Sequence, residues 1–256
     1  MSPSPRDAQA TPQVRAVADA VAAVFAQAFD QLATWRSPIE RALDATADMR
    51  PAALDDVVAD LVLPRLTEPD PLFVGAGVIA DGEIVRGRDV HFAWWLGPLD
   101  ANPVLGSTTE PTRLDLSTRG YTEYLRDFRA LEWYRIPATT RDAHVTGPYV
   151  DHLCTCDYIL TLTMPVHGSH GGHEAGPHMV GVLGADIAVR RLEHDLLAAF
   201  LDVPEPLALV NAEGRVLLST EPTLQVGQLA AAWAHAEPCR STPFRVLVEP
   251  SASVSK

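Results

Sequence analysis

Residues 121–166 read YTEYLRDFRALEWYRIPATTRDAHVTGPYVDHLCTCDYILTLTMPV, then HGSHGGHEAGPH fills 167–178 and MVGVLGADI follows at 179–187. The stretch holds two aromatic-rich turns, at Glu132-Trp133-Tyr134 and at Gly147-Pro148-Tyr149-Val150-Asp151. It also holds two apolar runs, Tyr158 to Val166 and Met179 to Val189, with the β-branched residues and turn boundaries of strands. Each half delivers an acid at a strand end, Asp151 in one and Asp186 in the other. Tyr149 stands two residues before Asp151, so both side chains leave the same face of an extended chain.

On the N-terminal side, Val14, Val17, Val21, Val24, Phe25, Ala28, Phe29 and Leu32 recur at helical spacing, and Trp35, Ile39 and Leu43 continue the pattern. The spacing predicts one long helix opening at Thr11-Pro12, with a bend at Ser37-Pro38, and a second from Pro51 to Leu63. Strands are expected at Leu72–Ala80 and Glu83–Arg86 around an Asp81-Gly82 turn, at Val90–Leu96, and at Leu114–Leu116. A short helix is expected over Tyr121–Phe128, a strand from Pro148 to His152, and a helix over Arg190–Leu201. The C-terminal part reads as strands at Leu207–Val210 and Arg215–Ser219, a helix at Val226–His235 and a strand at Phe244–Val248. The division that follows is a disordered segment 1–12, a main domain 13–200, a small α/β module 201–250 and a tail 251–256.

The 256 residues are 47% hydrophobic and 21% charged, an ordinary globular composition. A net charge of −13 with no basic run disfavours nucleic acid, whose phosphates need clustered cations. The first residues, MSPSPRDAQATPQ, carry no apolar signal region. The most apolar segment, Val14 to Leu32, is interrupted by Arg15, Asp19 and Asp30. A soluble, cytoplasmic protein with no membrane partner is the expectation. Three cysteines, an odd number, fit a reducing compartment.

The ordered set Glu132-Trp133-Tyr134, Gly147 to Asp151, Ile159 to Val166 and Gly181 to Ile187 resembles the Cache sensor domains of the double-Cache, or PDC-like, family. The resemblance implies an α/β (α+β) fold: long N-terminal helices on a central antiparallel sheet, a PAS-like Cache module, then a short second α/β module. It implies a small-molecule binding site rather than an enzyme, with an amine or amino acid as ligand and no cofactor. In amine- and amino-acid-binding members, acids at the places of Asp151 and Asp186 grip an ammonium. A desolvated cation needs such opposite charge and hydrogen-bond acceptors. Trp133 and Tyr134 would wall the cation with π faces. Tyr121, Tyr149 and Glu132 complete the expected set of contacts. Amino-acid binders of the family carry an arginine two positions before the tryptophan, for the ligand's carboxylate. Here that place holds Leu131, so an amine without a carboxylate is favoured. Arg126, Arg129 and Arg135 are the nearby substitutes.

The rival reading is a metal site in the loop 167–178, from His167, His170, His173 and His178 with Glu174. Its glycines argue against a rigid cage. Cys154 and Cys156 alternate with strand period and read as buried strand residues, and His91 beside Trp94 and Trp95 reads as a core histidine. Nucleophile-elbow, P-loop and dinucleotide-binding signatures are missing, so turnover is not expected. A sensor of this kind passes its signal to a separate output protein or by homodimerisation through the N-terminal helix.

Overall fold

The computed structural model describes residues 11–82, 84–99, 106–114, 127–151, 155, 157–169, 178–230, 233 and 235–248. Tyr121, Cys154, Cys156, His170, His173, Glu174 and most of the expected helix 121–128 lie outside them. The chain divides into two compact units, residues 28–188 and residues 1–27 with 189–256.

Helix α1 (Pro12–Ala45) supplies one stretch to each unit. Pro12 begins it, and the Thr11 hydroxyl accepts the Val14 N–H at 3.3 Å as a cap. The helix runs on through Pro38. Its apolar stripe is buried throughout: Val14, Val17, Val21 and Phe25, then Ala28, Leu32, Trp35, Ile39 and Leu43. Helix α2 (Pro51–Leu66) buries Leu54, Val58, Val62 and Leu66 at strict four-residue spacing.

In the larger unit, β1 (Gly75–Asp81), β2 (Val90–Leu96), β3 (Thr112–Arg113), β4 (His144–Val150), β5 (Tyr158–Gly168) and β6 (His178–Ala188) form an antiparallel sheet in the order β3-β2-β1-β6-β5-β4. Helix α2 packs on β1 and β2, and α3 (Glu132–Thr140) lies against β4, β5 and β6. His91 is buried and bonds Asp55 of α2 at 2.8 Å.

Three local expectations are corrected. The Asp81-Gly82 turn does not return the chain into a strand over the described residues 84–86. Instead β1 pairs with β2, the Gly82 N–H closes the connection on Asp89 O at 2.8 Å, and Val85 bridges to Met49. Ile84 and Val85 are buried there, and the backbone bonds of this segment go to the α1–α2 connection. Glu132-Trp133-Tyr134 is not a turn but the first turn of α3, preceded by a 3-10 turn at Phe128–Ala130. Pro137 inside that nine-residue helix hid it. Residues 226–230 are not helical: Val216 exchanges bonds with Gln228 O and Gly227 N, and His235 already belongs to a strand. Gly227, at φ 83°, takes a conformation that favours glycine.

In the smaller unit, α4 (Val189–Leu201) buries Val189, Leu192, Leu196 and Phe200. Strands β7 (Leu207–Val210), β8 (Val216–Ser219), β9 (His235–Pro238) and β10 (Arg245–Val248) pair in the order β8-β7-β10-β9. Phe25 packs on Phe244 with ring centroids 4.6 Å apart.

Candidate functional site

The sheet register of the larger unit gathers a set of side chains on one face. Leu96, Gly75, Asp186, Thr161 and Thr146 form one row across β2, β1, β6, β5 and β4. The next row holds Trp94, Gly77, Gly184, Thr163 and His144. Three of these ten are glycines, which lowers the middle of the face. A Cβ at Gly184 would stand 3.2 Å from Trp94 Cη2 and 3.2 Å from Thr163 Cγ2, and one at Gly75 would stand 3.0 Å from Trp94 Nε1. The Trp94 indole therefore spans from β1 to β6 over the glycines.

Asp186 is the chemical centre of the face. It is 8% exposed, and the Thr161 hydroxyl donates to its Oδ1 at 2.6 Å. Thr161 in turn is 2.6 Å from the Tyr149 hydroxyl. Among the described residues no basic side chain pairs with Asp186. Burial, with the nearby Asp151 charge adding to it against the Thr161 bond, pushes the Asp186 carboxyl up to about 8. Asp151 is 6% exposed and accepts the Thr155 N–H at 2.9 Å and the Thr155 hydroxyl at 3.2 Å, so part of its capacity shapes the loop after β4.

A β-bulge brings Tyr149 into this group. Thr146 faces Thr161, but Tyr149, three residues on, faces Ile159, two residues back along β5. The extra residue turns Tyr149, rather than Pro148, to the Asp186 face. Gly147 takes φ 119°, and a Cβ there would lie 2.7 Å from Ile159 O. Glycine is thus required at the bulge.

Above the Trp94 side sits an aromatic cluster of Phe128, Tyr134 and Trp94 with Ile79, Leu96 and Val182, against which Trp133 and Leu131 pack. Phe128 stacks on Trp133 at 6.2 Å and meets Tyr134 edge-on at 5.0 Å. The Tyr134 hydroxyl donates to Asp81, which also holds Arg129 through Nε at 3.0 Å to each carboxylate oxygen. Arg129 reaches Asp89 at 3.3 Å as well. Burial first, and the Asp81 bond second, hold the Tyr134 phenol above its ordinary pKa, so it stays a donor. Bonding to Asp81 likewise raises the Arg129 guanidinium.

Of the sequence-expected residues, Tyr149, Asp151 and Asp186 are brought together, and Trp133 and Tyr134 stand in the aromatic cluster. Glu132 is 48% exposed and bonds His144 Nε2 at 2.7 Å on the surface. Tyr121 lies outside the described residues. Of the arginines that could replace a carboxylate clamp, Arg129 is held by Asp81 and Arg135 is exposed, while Arg126 is outside the description. Trp94, Thr161, Thr163 and Asp81 are additions that the sequence reading did not make. The signal for Trp94 was an aromatic strand opposite glycines on β1 and β6.

The metal reading gains no geometry. Among the described residues no group of three or more His, Cys, Asp or Glu is placed to hold an ion. His167 sits in β5 with its N–H and Nδ1 on Glu40 at 3.0 and 3.4 Å, and His178 opens β6.

No family model and no curated protein matches the sequence. Solved structures do. The ligand-binding domain of the Pseudomonas aeruginosa amino-acid chemoreceptor PctC, in complex with GABA, aligns with a TM-score of 0.56 at 18% identity, over 92% of this chain and 97% of that one. The chain has the Cache sensor fold. The ligand-binding domain of the Pseudomonas fluorescens chemoreceptor CtaA, in complex with L-valine, gives 0.55 at 14% identity over 93% and 92%. The periplasmic sensory domain of the Campylobacter jejuni chemoreceptor Tlp1 gives 0.52 at 10% identity over 83% and 72%.

These neighbours overturn the cytoplasmic expectation, because the domains that share the fold are sensor parts of receptors, periplasmic in the Campylobacter case. Helix α1 is long and apolar enough to cross a membrane by length and composition alone, with a mean hydropathy of 1.2 over its best window, but its apolar stripe is already buried in the fold.

Proposed function

We propose that the chain is a ligand-binding sensor domain and that its larger unit recognises a small amine. The fold supports the sensor part, since the solved neighbours named above are ligand-binding or sensory domains. The observation that carries the amine part is Asp186: a buried carboxyl, without a basic partner among the described residues, beside aromatic rings on one sheet face. An ammonium supplies the missing opposite charge, and the rings add cation–π attraction. Asp151 and Tyr149 are the further contacts, with Trp133 and Tyr134 as walls.

Amino acids, the ligands of the chemoreceptor neighbours, are the broader class. The preference for an amine without a carboxylate rests on Leu131, which packs against the aromatic cluster where a carboxylate clamp is expected. A carboxylate buried there without a cation would cost several kcal/mol.

A thermal-shift screen of amines, amino acids and carboxylates tests the reading. A ligand present at 100 times its dissociation constant adds ~2.7 kcal/mol to stability. Stabilisation by amines supports the proposal. Stabilisation by carboxylates alone, or by none of the three classes, contradicts it.

A further inference from the structure

We infer that the far end of the amine carries a neutral hydrogen-bonding group, received by the hydroxyls of Thr146 and Thr163. This deepens the amine reading and rests on it. Thr163 is 1% exposed and Thr146 8% exposed. Among the described residues neither hydroxyl oxygen has a hydrogen-bond partner. Buried hydroxyls nearly always find one, so two orphans on one patch of one sheet face mark an unfilled polar site.

The register places the patch beside Asp186. Thr146 continues the Asp186–Thr161 row by one strand, and Thr163 lies two residues along β5 from Thr161. Strand spacing puts Thr146 about 10 Å from Asp186, and the diagonal puts Thr163 about 8 Å away. A hydrogen bond of about 2.8 Å at each end leaves roughly 2.5–4.5 Å between the ligand's nitrogen and its second polar atom. A two- or three-carbon spacer meets that span.

The second group is neutral because, among the described residues, the patch offers no unpaired charge. Thr146 and Thr163 are uncharged. His144, which faces Thr163 across the strands, has Nε2 on Glu132 at 2.7 Å. A second ammonium or a carboxylate would be buried there without an opposite charge, whereas a hydroxyl can both donate to and accept from the threonines. The ligand class is therefore a short amino alcohol or its amide equivalent.

Calorimetric titration with 3-aminopropan-1-ol, butylamine and 1,3-diaminopropane, three chains of equal length, tests the inference. The amino alcohol should bind wild-type protein at least tenfold tighter than either of the others. Thr163→Val, of nearly the same shape, should erase that ratio. It should also raise the Tm of the ligand-free protein by about 2 °C or more, because a buried orphan hydroxyl is removed. Thr146→Val provides the second variant, with the same two expectations. Butylamine or the diamine binding as tightly as the amino alcohol would overturn the second subsite while leaving the amine reading in place. So would a ratio that survives both substitutions. Failure of all three amines to bind would overturn the amine reading and this inference with it.

Discussion

Replacing Asp186 by Asn separates the charge of this group from its shape. In the folded chain burial pushes the carboxyl up to about 8 from an ordinary 3.8. The folded state thus keeps a proton that the unfolded chain releases throughout that window. For an acid raised in this way the stabilisation is complete below about pH 4 and is lost as pH rises, bottoming near pH 8. The slope is up to about 1.4 kcal/mol per pH unit, or about 3 kcal/mol between pH 5 and 7. The other carboxylates superimpose their own pH dependence, so the quantity to follow is wild type minus Asp186→Asn. Asn keeps an oxygen acceptor for Thr161 and does not titrate. Urea unfolding followed by tryptophan fluorescence at pH 5, 6, 7 and 8 gives both curves. The difference should fall steadily to about pH 8. A flat difference, or one that grows with pH, would refute the claim that Asp186 is buried without a cationic partner.

Other substitutions probe the parts around it. Leu131→Arg should move ligand preference from amines toward amino acids by tenfold or more; competition titrations of an amine against its amino-acid parent would show the shift or its absence. Gly147→Val puts a branched Cβ where Ile159 O leaves 2.7 Å, at φ 119°. It should cost about 2 kcal/mol or more in unfolding experiments and should weaken amine binding beyond what stability explains, because Tyr149 is re-aimed. Asp81→Asn removes the charge that Arg129 pairs with and weakens the acceptor of Tyr134. It should destabilise the protein by about 1–2 kcal/mol, and a variant as stable as wild type would show that the Asp81 cluster does not hold the aromatic wall.

Much of the scaffold was legible because period and burial agree. The stripe of α1 and the apolar runs of β5 and β6 each match their element, and Asp186 could be placed at the end of β6 from its own strand. What could not be read depends on pairing across the sheet. Trp94 reaches the site only because β1 and β6 present Gly75 and Gly184 beneath it, a register that pairs Gly77 with Gly184, 107 residues on in sequence. Asp81, read as a turn residue, is the anchor of Tyr134 and Arg129, 53 and 48 residues on. Tyr149 was placed on the Asp151 face by simple alternation, but its meeting with Thr161 depends on the bulge at Gly147. Glu132 shows the converse. It has the right neighbours in sequence, but the first turn of α3 directs it to His144 at the surface.

Binding-linked proton release tests the central claim most directly. At pH 7 Asp186 is mostly protonated in the ligand-free domain. An ammonium that pairs with the carboxylate must drive that proton off. Titration calorimetry of a small amine at pH 7, repeated in buffers of different ionisation enthalpy, counts the protons released. The account predicts close to one proton released per amine bound by wild type, and none for Asp186→Asn, with at least tenfold weaker binding. Equal affinity in the two proteins, with no proton released by either, would contradict it.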